Sequence, residues 1–62
     1  MLNDERLLAK PYVVEGVEYE LWCDRYGKWF LVFGGFDQDL GQFTEQQINQ
    51  ISQDVFELRA PQ

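Results

Sequence analysis

The sequence predicts an α+β domain: a three-stranded antiparallel β-meander with one C-terminal α-helix packed on one face. Three observations carry that expectation. Two glycine-bearing turns, at Glu15-Gly16 and at Asp24 to Gly27, separate three β-prone runs by the spacing of tight hairpins. The runs alternate in polarity with period two, and both turns independently send the same residues to the same face. A capping sequence at Thr44 then opens a stretch whose apolar residues recur at helical spacing.

Taken in order, Asn3 and Asp4 can cap a short N-terminal helix through Leu7 and Leu8, which Pro11 must end. Tyr12-Val13-Val14 is β-prone and runs into the Glu15-Gly16 turn. Val17 to Cys23 alternates cleanly, and Asp24-Arg25-Tyr26-Gly27 reads as a type I turn whose glycine takes the left-handed position of a bulged hairpin. Lys28 to Phe33 is the third strand, which Gly34-Gly35 stops. Pairing Val14 with Val17 puts Tyr12 opposite Tyr19. Pairing Asp24 with Lys28 puts Cys23 opposite Trp29, Leu21 opposite Leu31 and Tyr19 opposite Phe33. One face therefore collects Tyr12, Val14, Val17, Tyr19, Leu21, Cys23, Trp29, Leu31 and Phe33, and that face is the expected core.

The core face needs a cover. In QFTEQQINQI, Thr44 stands as N-cap with Gln47 at the third helical position, the spacing of a capping box. Phe43 before the cap and Ile48 in the fourth helical position make the matching hydrophobic staple. Ile48, Ile51 and Val55 share one stripe, and Gln46, Asn49, Gln50 and Gln53 take the polar side. Asp54 to Arg59 reads equally as continued helix, short strand or extended tail, because periodicity does not decide over so few residues.

Composition narrows the class. A chain of 62 residues makes one small domain, residues 1–62, burying only about 60% of its unfolded surface, so it needs a rich core. At 45% hydrophobic and 16% aromatic it has one, which argues against disorder. The longest apolar run, Trp29 to Phe36, is too short to span a bilayer, and the start MLNDERLLAK lacks the apolar core of a secretion signal. The single Cys23 forms no internal disulfide, and the expected compartment is the cytoplasm. Eleven acids against five bases give a formal charge of −6, which disfavours a phosphate backbone as partner. It suits solubility or a basic protein partner.

Catalysis is poorly provided for. The chain has no histidine, so Cys23 and Ser52 lack the usual activating base, and no cofactor motif or small-molecule site is evident. FDQDLGQFTE begins like a calcium loop, but the fifth position from Asp37 is Gly41 and the twelfth is Ile48, where oxygen ligands are needed. No metal site is expected.

The informative feature is the other side of the sheet. The opposite parity holds Val13, Glu18, Glu20, Trp22, Asp24, Lys28, Phe30 and Val32, with Trp22 and Phe30 directly opposed and Val32 diagonal to them. Either the Leu7-Leu8 segment or the tail around Phe56 and Leu58 folds over this patch, or Trp22, Phe30 and Val32 form an apolar cluster rimmed by Glu18 and Glu20 that meets a protein partner or a second copy of the chain. A Trp at the centre of such a patch is the natural hot spot. A single-stranded nucleic acid stacking on Tyr26, Trp22 and Phe30, with Arg25 and Lys28 on its phosphates, is the alternative, opposed by the carboxylates on the same face.

GKWFLVFGGF followed by QFTEQQI resembles a pattern in small uncharacterised phage and prophage proteins of Gram-positive bacteria, in which an aromatic hairpin precedes a phenylalanine-threonine-glutamate helix start. The resemblance covers about half of the chain and carries no catalytic residues. It implies an accessory cytoplasmic protein, non-catalytic, that engages or inhibits a host factor.

The register makes Leu31 central to the core. Leu31→Ala is expected to cost about 2–5 kcal/mol, as buried leucine truncations do, enough to threaten folding at this size. Thermal melts of mutant and parent that coincide would mean the strand register is off by one residue.

Overall fold

The computed structural model describes residues 4–59. Five strands, β1 (Glu5–Arg6), β2 (Tyr12–Val14), β3 (Val17–Cys23), β4 (Trp29–Phe33) and β5 (Phe36–Asp37), lead through a 3-10 turn at Leu40–Gln42 into the helix α1 (Glu45–Arg59). Every strand pairing is antiparallel. β3 is the centre: β4 and then β5 lie on one side of it, while β1 and β2 share its other edge. The α+β class and the central meander are as the sequence reads. The register is too, with Tyr12 facing Tyr19, Val14 facing Val17, Leu21 facing Leu31, and Cys23 facing Trp29.

Two elements differ from expectation. The segment after Asp4 forms a strand where a short helix was expected, and the Asn3 half of the expected cap lies outside the described residues. The cause is the length of β3. β2 pairs only with Val17 to Tyr19, which would leave the main chain of Leu21 to Cys23 bare along that edge. β1 covers it, pairing Glu5 with Cys23 and Arg6 with Trp22, while Leu7 N–H donates to Leu21 C=O at 2.8 Å. A single helical turn in isolation offers no comparable gain. Between these pairings the edge chain spends six positions, Arg6 to Tyr12, where β3 spends three, Trp22 to Tyr19. The odd excess reverses the alternation, so Leu7 and Tyr12 both point into the core.

Gly34-Gly35 likewise does not end the sheet. With φ of 60° and 85°, the pair makes the two-residue turn that strongly twisted hairpins prefer, available to glycine without steric cost. The chain returns as β5, setting Phe36 opposite Phe33 and Asp37 opposite Val32. The Asp24 turn forms as read: Gly27 has φ 81°, and the Asp24 carboxylate accepts the N–H groups of Tyr26 and Lys28 at 2.9 and 3.0 Å.

α1 begins at the expected capping box. Gln47 N–H donates to Thr44 Oγ1 at 3.1 Å, and Thr44 N–H donates back to Gln47 Oε1 at 2.9 Å. The helix continues through the stretch left open, to Arg59; residues 60–62 lie outside the description. Glu45 in the first turn and Arg59 in the last both suit the helix dipole. Fifteen residues at 1.5 Å each span about 22 Å, close to the length of seven-residue β3, so the helix reaches from one turn to the other. At its start Gln47 donates to the Glu15 carboxylate, and at its end Arg59 Nη1 donates to Gly27 C=O at 2.7 Å. Between them Trp29 Nε1 donates to Ser52 Oγ at 3.2 Å, and the Tyr12 hydroxyl donates to the Asp54 carboxylate.

Beneath α1 lie Leu21, Leu31, Ile51 and Val55, all buried, with Tyr12, Val14, Tyr19, Trp29 and Phe43 packed around them. Cys23 is buried as a free thiol. Val17 and Phe33, expected in this core, are 40% and 52% exposed. Val17 opens β3 and Phe33 closes β4, so both sit at strand ends, outside the buried cluster of Leu21, Leu31, Ile51 and Val55. Phe33 instead meets Tyr19 edge-on at 5.8 Å between ring centres.

Burial first, then the hydrogen bond to Asp54 and that group's charge, hold the Tyr12 phenol well above its usual range. A raised folded-state pKa contributes stability that is complete below the unfolded value near 10 and is lost as pH climbs past it. The melting midpoint is therefore expected to fall above about pH 10, and Tyr12→Phe to fall less steeply over the same range. Parallel curves for the two proteins would refute the Tyr12–Asp54 contact as the cause. At the helix start, Thr44→Ala is expected to lose about 0.5–2 kcal/mol and Thr44→Asn almost nothing, because asparagine caps equally well. Equal losses by chemical denaturation would show that the Oγ1 bond is not what holds the first turn.

Candidate functional site

The face away from α1 is built by the alternation that builds the core. With Leu21 and Leu31 turned toward the helix, Trp22 and Phe30 must turn away, and they are direct partners in the register. Their rings lie nearly parallel, 20° apart, with centres 6.5 Å from each other. Val32 stands on the same face of β4, opposite Glu20. Trp22, Phe30 and Val32 are each half-buried, so the patch is partly open, between the covered and the exposed alternatives that the sequence leaves.

Neither expected cover lies over it among the described residues. Leu7 and Leu8 pack against the core cluster on the helix side. The tail continues α1, leaving Phe56 70% exposed and Leu58 44% exposed on the helix.

The acids of β3 take two roles. Glu20, half-buried, accepts the indole N–H of Trp22 at 2.9 Å, which fixes the ring's orientation and satisfies its one donor. Glu18 is exposed, opposite Val13. Two edge elements complete the rim. β1 sets Arg6 opposite Trp22, and β5 sets Asp37 opposite Val32.

Two hollows flank the stacked pair. The larger crosses the face beside the Asp24 turn, lined by Asp4, Asp24, Lys28, Phe30, Asp37 and Asp39, with Tyr26 and Arg25 at its rim. The smaller is lined by Arg6, Glu18, Glu20 and Val32. The lining of the two hollows thus holds six carboxylates, Asp4, Glu18, Glu20, Asp24, Asp37 and Asp39, against three cations, Arg6, Arg25 and Lys28.

Tyr26, grouped with Trp22 and Phe30 as a stacking surface for single-stranded nucleic acid, lies instead at the hairpin tip. The Arg25 guanidinium covers one side of its ring at 5.0 Å and donates to its hydroxyl at 2.8 Å. In the loop once considered for calcium, the Asp39 carboxylate accepts the N–H of Gly41 at 3.0 Å, a capping role for the 3-10 turn.

The residues sequence reasoning missed are Asp4, Arg6 and Asp37: Arg6 and Asp37 arrive on strands it did not foresee, and Asp4 immediately precedes the first of them. The signal for Asp37 was present. Gly34-Gly35 between apolar residues is a recognisable hairpin dipeptide. No comparable signal marks Glu5–Arg6. No helix among the described residues is long and apolar enough to cross a membrane. Comparison with protein-family models, curated proteins and solved structures finds no match to this chain.

Proposed function

We propose that this protein is a non-catalytic interaction module of the cytoplasm, and that it meets a protein partner through Trp22, Phe30 and Val32 with Glu18 and Glu20 at the rim. The observation that carries the reading is the stacked, half-buried Trp22–Phe30 pair on the sheet face opposite α1, which neither the Leu7-Leu8 segment nor the end of α1 covers. A structural role alone accounts for some of it, since cross-strand aromatic pairs stabilise a sheet by about 0.2–1 kcal/mol. It does not account for an apolar centre inside a charged rim, the composition of an interface with a desolvated core. The absence of histidine and the burial of Cys23 support a role without catalysis. An accessory or inhibitor protein of the phage type is one setting for such a surface.

Phe30→Lys tests the reading. Lysine at a partly solvated strand position is expected to leave the circular dichroism spectrum intact and to lower stability by about 1 kcal/mol through the lost ring pair. The proteins retained from a cell lysate by the parent should be lost by the mutant. A mutant that unfolds would mark the patch as a second core layer, since a buried unpaired lysine is costly. A folded mutant that retains the same proteins would place the interaction elsewhere.

A further inference from the structure

We infer that the Trp22–Phe30 face takes a basic segment of another protein, its arginine or lysine side chains reaching the carboxylates of the larger hollow while its apolar parts lie on the stacked rings. The inference rests on the interaction reading above and names the partner's chemistry. Six carboxylates against three cations leave the lining of the two hollows with a net charge of −3. Asp4, Glu18 and Asp37 accept no side-chain hydrogen bond from the described residues, unlike Glu20 and Asp24, so their charges are free to face a partner. Like charges set against each other across an interface are strongly unfavourable.

That argument excludes two occupants. A second copy joined about a two-fold axis presents the same patch to itself, acid against acid. A nucleic acid brings a row of phosphates to the same carboxylates. A basic segment meets the opposite condition, and guanidinium groups also sit favourably on aromatic faces. The hollow's own rim holds one such contact, Arg25 over Tyr26 at 5.0 Å.

The experiment uses the full chain and a synthetic peptide of about ten residues alternating arginine and glycine, followed by tryptophan fluorescence. The peptide is expected to bind, and to weaken by about tenfold or more between about 50 mM and about 500 mM salt, as screening removes the attraction. Neutralising two groove acids together, Asp4→Asn with Asp37→Asn, should weaken it by about tenfold. Neutralising two helix acids, Glu45→Gln with Glu57→Gln, changes net charge equally and should have little effect. Equal losses in both double variants would overturn the site, leaving only general attraction to an acidic protein. Binding of a glutamate-glycine peptide or of oligothymidylate as tightly as the arginine peptide, or a dimer in sedimentation that Phe30→Lys dissolves, would overturn the chemistry. No binding of the arginine peptide, with lysate capture still lost in Phe30→Lys, would sink this inference and leave the interaction reading standing.

Discussion

Leu21 against Leu31, beneath Ile51 and Val55, is the contact on which the rest of the molecule depends. Because side chains alternate along a strand, turning those leucines inward commits every neighbour. Trp22 and Phe30 cannot join the core without expelling Leu21 and Leu31 from it. Core and candidate site are therefore two sides of one register, and a slip of a single residue would exchange them. Two turns guard against that slip from opposite ends of β3, one at Glu15-Gly16 and one at Asp24 to Gly27, and α1 touches both through Gln47 and Arg59. With five buried apolar side chains among the described residues, those polar ties matter more than in a larger domain.

What the sequence disclosed is what is decided locally. A turn dipeptide, an alternation over seven residues and a capping box each lie within a short window, and the structure keeps all three. What it concealed depends on something distant. β1 and β5 have two residues each, too few for any periodicity, and β1 forms because β3 outruns β2. Alternation says which way Val17 and Phe33 point, but not that these residues at the strand ends stay partly exposed beside the core. The apolar centre of the candidate site was therefore legible, through Trp22, Phe30 and Val32, along with Glu18 and Glu20. Part of its charged rim was not, because Arg6 and Asp37 ride on the two strands that tertiary pairing creates and Asp4 immediately precedes one of them.

Those short strands also bear on how a partner could approach. A long bare strand at the edge of a sheet invites another chain to pair with it. Here one edge ends in two-residue β5, and the other is broken between Arg6 and Tyr12 by three surplus residues with Pro11 among them, unable to donate to a ladder. Both edges are poor templates. The open face is different. Its aromatic pair stands on β3 and β4, which are paired with each other across Trp22 and Phe30, and Trp22 is held in one orientation by Glu20. Side chains already fixed before contact lose little freedom on binding, so more of the interaction energy survives as affinity. The same pairing that stabilises this small sheet thus closes its edges and stiffens its outer face, and on the proposed interaction reading that combination favours docking on Trp22 and Phe30 over pairing at the strand ends.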